Sequence, residues 1–416
     1  MSYINHYNKY GWMDYFSYIV CCLTGIIIVV YLYIRLKYGF WATQPVFHYY
    51  DISYRMLPPG IIDDSLPSKN KYTNFTNITT YSFDNLTSLQ KQRFLHLLTV
   101  HDKCKREHIF SLKEANVLSY FNGLVRQSFV SFYYKDHHMM DAKTGDIVAD
   151  KHMVGSITTR PVKVYIKDAR TRFKEESTFM AYYMDFLCVD GLREKAGECI
   201  AFQLIQTHYY NQRVLNKKIV VSILRKEGRE NLLFGIVPLC KYVIYSFPVD
   251  AIGLRATAIP ANYTILEINT HNFRYLFDFV KLHQGQFDVT IKNDVSNLIE
   301  LVKTNTVYIY AVFVDNGIQG CYFFRKGANA SLACFASICN CDESIFINGF
   351  KISFWKIVSK NKCTFLNIEN ISHNSILIHD IVHIKNINPI ETKEVAYYFY
   401  NFAYPSFPSS KCFILH

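Results

Sequence analysis

Charged residues are scarce in this 416-residue chain, at 19% of the total. No arginine- and lysine-rich run with interleaved aromatics occurs, and neither does zinc-finger or helix-turn-helix spacing. The net charge of +11 would suit nucleic acid, an anionic membrane or a phosphate-bearing cofactor. The missing motifs argue against the first of these, so no nucleic acid is expected. Disorder is disfavoured, because half of the residues are hydrophobic and such a chain buries well. No short-period repeat points to a solenoid. The twelve cysteines are scattered, several of them in apolar strand-like runs where free thiols pack as small hydrophobes. A chain of this length needs no disulfide staples, which favours a reducing compartment. Cys339-Asn340-Cys341 and the His101/Cys104/His108 group lack a second half at zinc spacing, and His137-His138 has no partners, so no metal is expected.

One long hydrophobic run is present. Tyr15 to Ile34 carries no charge, and about 20 apolar residues span a bilayer core. Tyr15, Phe16 and Tyr18 at one end, with Tyr31 and Tyr33 at the other, have the pattern of interfacial aromatic belts. No small-residue cleavage site follows, as a signal peptide would require. A buried core helix is the competing reading. The sequence predicts a transmembrane helix over residues 15–36, which makes the membrane a partner. Lys9 and Asp14 cancel before it, while Arg35, Lys37 and Arg55 follow, so the large C-terminal part is expected in the cytosol. Sequons at Asn74, Asn77, Asn85, Asn262, Asn329 and Asn370 point the other way, but they arise readily by chance in an asparagine-rich chain.

Beyond the anchor, a polar stretch runs to about Leu86. Thr87-x-x-Gln90 and Ser111-x-x-Glu114 have capping-box form. Phe94, Leu97, Leu98 and His101 share one helical face. Strands are expected at Met153–Ile166, broken at Pro161, and at Ala181–Val189. A helix with Ala201, Leu204, Ile205 and His208 on one face follows, then a strand at Lys218–Leu224. The same order returns later. Val307–Val314 and Ile318–Phe324 flank Asp315-Asn316-Gly317, a hairpin signal in which Asn316-Gly317 is expected to supply the left-handed turn conformations. Leu332–Cys339 reads as a strand, Phe350–Val358 as a helix, and Cys363–Ile368 and Val395–Phe402 as strands. The pattern is α/β (α+β), in two similar halves.

Met184-Asp-Phe-Leu-Cys-Val189, followed by Leu192-Arg193-Glu194-Lys195, is similar to the signature strand and phosphate turn of the N-myristoyltransferases. Phe40-Trp41-x-Thr43-Gln44-Pro45-Val46, Cys240-Lys241-Tyr242 and Tyr398-x-Tyr400-Asn401-Phe402 resemble further segments of that family, in its order. So does the tail Lys411–His416. The likeness spans residues 38–416. It implies two acetyltransferase-like (GNAT-type) halves with pseudo-two-fold symmetry behind one transmembrane helix. The division expected is residues 1–37 for the tail and anchor, 38–250 for an acyl-CoA-binding half, and 251–416 for a peptide-binding half.

The resemblance also implies a chemistry, the transfer of a myristoyl or similar group from myristoyl-CoA to the N-terminal glycine amine of proteins at a membrane surface. The backbone amides of Phe186 and Leu187 would form an oxyanion hole, which needs no particular side chain. The α-carboxylate of His416 would take the proton from the amine. Tyr38, Phe40, Trp41, Cys188 and Val189 would line the CoA ester, with Arg193 and Lys195 near its phosphates at a helix N-terminus. Tyr242 and Asn401 would face the peptide. The sequence departs from the family at Glu194 and Glu198, which stand in the phosphate turn, and at Ile244, where the family has a histidine. An inactive relative kept as a membrane-anchored binding or structural protein is therefore the alternative. An acetyltransferase of small amines fits only half of the chain.

Overall fold

The uncharged run lies within one continuous helix, α1 (Ile4–Tyr38), in the computed structural model, which describes residues 4–56, 59–104, 114–140, 147–167, 176–190, 195–228, 235–252, 259–327 and 330–416. The Ser111 capping box, His108, Arg193 with its turn, and Asn329 lie outside the described residues. Within Tyr15–Tyr38 the most apolar 18 residues have a mean hydropathy of 2.4, and none of them is buried against the rest of the chain. Among the described helices it alone has the length and apolarity to cross a membrane. Gly39, at φ +48°, stops the helix in a left-handed conformation that a side chain would disfavour. The next two residues, Phe40 and Trp41, are already buried.

The first half then runs through α2 (Ile52–Met56), β1 (Gly60–Ile61), β2 (Ile78–Ser82), α3 (Ser88–Cys104) and α4 (Glu114–Leu118). The Thr87 capping box opens α3. Gln90 N–H donates to Thr87 Oγ1 at 3.2 Å, and Thr87 N–H donates to Gln90 Oε1 at 3.0 Å. Strands β3 (Phe129–Met140), β4 (Ile147–Lys167) and β5 (Glu176–Val189) form an antiparallel meander. Helix α5 (Lys195–Leu215) crosses over to β6 (Val221–Glu227), which is parallel to β5. Its apolar stripe, Ala201, Leu204, Ile205 and His208, is buried against the sheet.

β7 (Cys240–Pro248) ends the first half, and α6 (Val249–Ile252) leads into the second, with β8 (Tyr263–Glu267), α7 (Phe273–His283), β9 (Val289–Lys292) and α8 (Val295–Lys303). The pattern of the first half then repeats. β10 (Val307–Val314), β11 (Gly317–Lys326) and β12 (Ser331–Cys339) form a meander, and α9 (Glu343–Lys360) leads to β13 (Phe365–Glu369), parallel to β12. The chain closes with α10 (Asn374–His379), β14 (Glu391–Tyr400), β15 (Phe402–Ala403) and β16 (Cys412–Leu415). β14 pairs with β6 and β7 with β13, and β14 and β7 pair with each other. Each half thus receives a strand from the other part of the chain, and one sheet runs through both.

Two local expectations change. β4 is not broken at Pro161. β3 pairs with β4 only as far as Thr159 and β9 joins the same edge from Lys163, so the proline falls where no neighbour needs its missing N–H. In the hairpin, Val314 pairs with Gly317, and the left-handed residues are Asp315 and Asn316, at φ +47° and +65°. Both central residues at positive φ are the signature of a type I′ turn.

His208 ties α5 to the sheet. Its Nδ1 lies 2.7 Å from Ser131 Oγ on β3, and its Nε2 lies 2.9 Å from Thr159 Oγ1 on β4. Burial pushes its pKa down to about 3, so the ring is neutral in the fold. The unfolded chain binds a proton near pH 6.5 and the folded one does not, so this contribution is complete above that pH and is lost as pH falls toward 3. From neutral pH to two units below the unfolded pKa the loss is roughly 3 kcal/mol. Urea midpoints measured at pH 7 and pH 4.5 are expected to show this dependence shrinking by about that amount in His208→Gln.

Candidate active site

The register between β4 and β5 shifts between Ser156 and Thr158. Ser156 pairs with Cys188 and Thr158 with Asp185, which leaves Phe186 and Leu187 opposite Ile157 alone. Phe186 takes φ +47°, a conformation a bulky residue adopts only when its surroundings impose it. Here the imposing contacts are visible. Ser156 Oγ donates to the Phe186 carbonyl at 3.3 Å, and Thr158 Oγ1 donates to the Asp185 carbonyl at 3.0 Å. Phe186 N–H donates to Asp185 Oδ1 at 2.9 Å. The Phe186 ring meets Phe94 and Phe121, with centroids 6.0 and 6.1 Å away. Leu187 packs with the Phe40, Trp41 and Val189 cluster. The pairing of β5 with β6 ends at Met184 and Leu224, so the two parallel strands part where the bulge begins. Bulges of this kind recur beside active sites because they re-aim the backbone.

The other component arrives from the far end of the chain. β16 runs parallel to β9, anchored by Phe413 against Phe287, and delivers His416 into the interior with 6% of its surface exposed. Its ring lies 4.3 Å from Tyr183 of β5, and its Nε2 lies 3.1 Å from Tyr397 Oη of β14. Burial first, then Arg325, Arg160 and Arg225, hold the imidazole far below its usual pKa, so it is neutral. Glu369 balances two of these cations. It accepts from Arg225 at 3.3 Å, from Arg325, and from Tyr242 Oη at 2.7 Å. Arg160 lies between the rings of Tyr120 and Tyr183, donates to Asn293 Oδ1 at 3.2 Å, and stands 3.7 Å from Asp185 Oδ2. Asp185 therefore connects the arginine cluster to the bulge. Burial raises the pKa of Tyr183, Tyr242 and Tyr397, whose hydroxyls stay protonated.

The residues singled out in the sequence separate into distinct places. Phe186, Leu187, Cys188 and Val189 form the bulge and the strand end after it. Tyr242 stacks on Tyr397 at 5.9 Å and belongs to the cluster around His416. Phe40 stacks on Phe202 of α5 at 4.5 Å, with Trp41 edge-on to the same ring, so both are wall residues of the first half. Tyr38 ends α1 and meets Tyr50 at 5.8 Å. Lys195 is exposed at the start of α5, with Glu198 in the same turn.

Asn401 is not brought to the cluster. Its Nδ2 donates to the carbonyls of Asp63 and Val220, at 2.7 and 3.1 Å, and its Oδ1 accepts from Asp63 N–H at 2.8 Å. With φ +64° it shapes the turn between β14 and β15 and holds two loops.

Arg160, Arg225, Arg325, Glu369, Tyr183 and Tyr397 were not singled out in the sequence. A signal was there: the arginines interrupt or end apolar strand runs, in Thr-Thr-Arg160-Pro, Ile-Leu-Arg225 and Phe-Phe-Arg325, and Glu369 ends Phe-Leu-Asn-Ile. Charges at such positions are buried only when paired. Removing the central carboxylate leaves two largely buried cations facing each other. Glu369→Ala is expected to destabilise the fold by about 3–5 kcal/mol, read as a drop in the denaturant midpoint.

Compared with models of known protein families and with curated sequences, the chain matches none. Solved structures do match. The Saccharomyces cerevisiae N-myristoyltransferase with bound myristoyl-CoA superposes with a TM-score of 0.64 at 12% identity, covering 89% of this chain and 94% of that one. The same enzyme with bound myristoyl-CoA and inhibitors gives 0.63 at 12% identity, over 89% and 91% of the two chains. With its repeated meander–helix–strand halves and exchanged strands, the chain has the N-myristoyltransferase fold.

Proposed function

We propose that the chain is an acyltransferase that moves a myristoyl or similar acyl group from its CoA thioester to the N-terminal glycine amine of proteins, at a membrane surface. The observation that carries this reading is the bulge at Phe186–Leu187, placed where β5 and β6 separate and joined through Asp185 and Arg160 to the cluster around His416. Amides turned out of a strand can donate to a thioester oxygen as charge develops on it. Residues 38–250 would hold the acyl donor, with Arg193 and, at the start of α5, Lys195 for its phosphates. Residues 251–416 would hold the peptide, with Tyr242 beside the acceptor. Residues 1–37 would anchor the protein, with the large C-terminal part in the cytosol.

In this reading the glycine nitrogen attacks the thioester carbonyl, the amide bond forms, and the C–S bond breaks to release CoA. An α-amino group titrates near ~8, so a base must take its proton first. The proposed base is the α-carboxylate of His416, which would release the ammonium proton to solvent and then carry the second proton, lost from the nitrogen as the amide bond forms, to the departing thiolate. Arg160, Arg225 and Arg325 would attract that carboxylate, while the neutral imidazole packs against Tyr183 at 4.3 Å.

A specific feature favours the alternative of an inactive relative. The Asp185 carboxylate occupies the Phe186 amide, where an anionic group opposes charge developing on a substrate oxygen. Asp185 must turn away for the hole to work.

The full chain in detergent is expected to bind myristoyl-CoA and acylate a short peptide beginning with glycine. A folded protein that binds no CoA ester at micromolar concentration would leave the inactive reading. Two residues appended after His416 are expected to abolish turnover while leaving binding of the CoA ester intact, as read by calorimetry alongside the rate. Unchanged turnover would remove the carboxylate from the mechanism.

A further inference from the structure

A cluster of exposed apolar residues sits at the foot of α1. Tyr49, Ile52 and Met56 are 50%, 65% and 83% exposed, and Leu36 in the last turn of α1 is 85% exposed. Ile52 and Met56 lie four residues apart and share one face of the short helix α2. The segment is fixed to the body of the protein. His48 Nε2 lies 2.9 Å from the Trp41 carbonyl and Tyr49 N–H donates to the Gly235 carbonyl at 3.1 Å, while Arg55 closes the segment on itself by donating to the Tyr49 carbonyl at 3.1 Å. Its height relative to α1 is set by the contact between the Tyr38 and Tyr50 rings at 5.8 Å.

Helix length then says what lies at that height. At 1.5 Å per residue, the 24 residues Tyr15–Tyr38 extend about 36 Å, some 6 Å more than a hydrocarbon core of about 30 Å. The headgroup layer adds roughly 5–7 Å on each side, so a span beginning at Tyr15 puts Tyr38 among the headgroups. Tyr50, touching Tyr38, lies at the same level with α2 directly after it. Charge agrees with this placement. Arg35, Lys37 and Arg55 are the cations here. The carboxylate of Asp51 is held by the His48 N–H at 2.8 Å and by its Nδ1 at 3.2 Å. Apolar residues next in sequence to lysine and arginine suit an anionic leaflet, although Asp63 also acts on α2 through Tyr54.

We infer that Tyr49, Ile52 and Met56 form a second contact with the bilayer, inserting at headgroup depth beside the anchor and fixing the orientation of the first half on the membrane. The inference rests on the reading of α1 as a membrane span. A helix alone would leave the protein free to rotate about its axis. A second contact rigidly joined to Trp41 holds the Phe40–Trp41 wall at a constant height above the lipid.

The test places a genetically encoded fluorescent amino acid at residue 27, 56 or 282 of the full chain. Each variant is reconstituted in phosphatidylcholine–phosphatidylserine vesicles whose acyl chains are brominated either near the headgroup or near the methyl end. Leu282, 78% exposed on α7, is the control away from the anchor. Loss of emission at 27 with deep bromines, at 56 with shallow ones, and none at 282 is the expected result. Loss at 27 without loss at 56 would overturn the second contact while keeping the anchor. Absence of loss at 27 would overturn the anchor reading, and the inference with it. Equal loss at 56 and 282 would mean general adhesion to the vesicle and would also overturn it.

Discussion

Glu369, at the end of β13, answers two arginines that come from different parts of the chain, Arg225 from β6 and Arg325 from β11. Tyr242 of β7 completes the set. Glu369 is buried and both arginines are largely so, and there an unpaired charge is far more costly than at the surface. The strand exchange at the centre of the sheet depends on this balance. β14 and β7 cross between the halves next to the cluster, and Tyr397 and Tyr242, one from each, stack there. The end of the chain enters the same space, so His416 can be lodged only when both halves are formed.

From that centre the bulge on β5 follows as a local consequence. Arg160, with its guanidinium between two tyrosine rings, reaches Asp185, and Asp185 caps the amide of Phe186. The strained residue is therefore stabilised from the charged side by Asp185 and from the apolar side by Phe94 and Phe121. The groups that hold the bulge open are also those that would have to move for a substrate oxygen to use it. The acyl-transfer reading requires the Asp185 carboxylate to turn away from the Phe186 amide.

The N-terminal helix imposes a different constraint. Because Gly39 ends α1 and Phe40 is buried immediately afterwards, no flexible linker separates the apolar helix from the first half. A membrane-spanning α1 would hold that half at the lipid surface, with residues 49–56 beside it.

Much of this was legible from residue order alone. The uncharged run at Tyr15–Ile34, the Thr87 capping box, the stripe Ala201–Leu204–Ile205–His208 and the hairpin before Gly317 are all local patterns. Periodicity, capping and turn chemistry act over a few residues, so the sequence determines them directly. The repeated order of strands and helix likewise disclosed two similar halves. Tertiary structure alone decided the rest. Pro161 continues a strand because β3 ends before it and β9 begins after it. Asn401 holds loops from elsewhere in the chain because those loops supply its partners. Arg160, Arg225, Arg325 and Glu369 became one cluster because four strands distant in sequence converge. A buried charge is tolerated only beside its counter-charge, and nothing in the order of residues names that partner before the chain has folded.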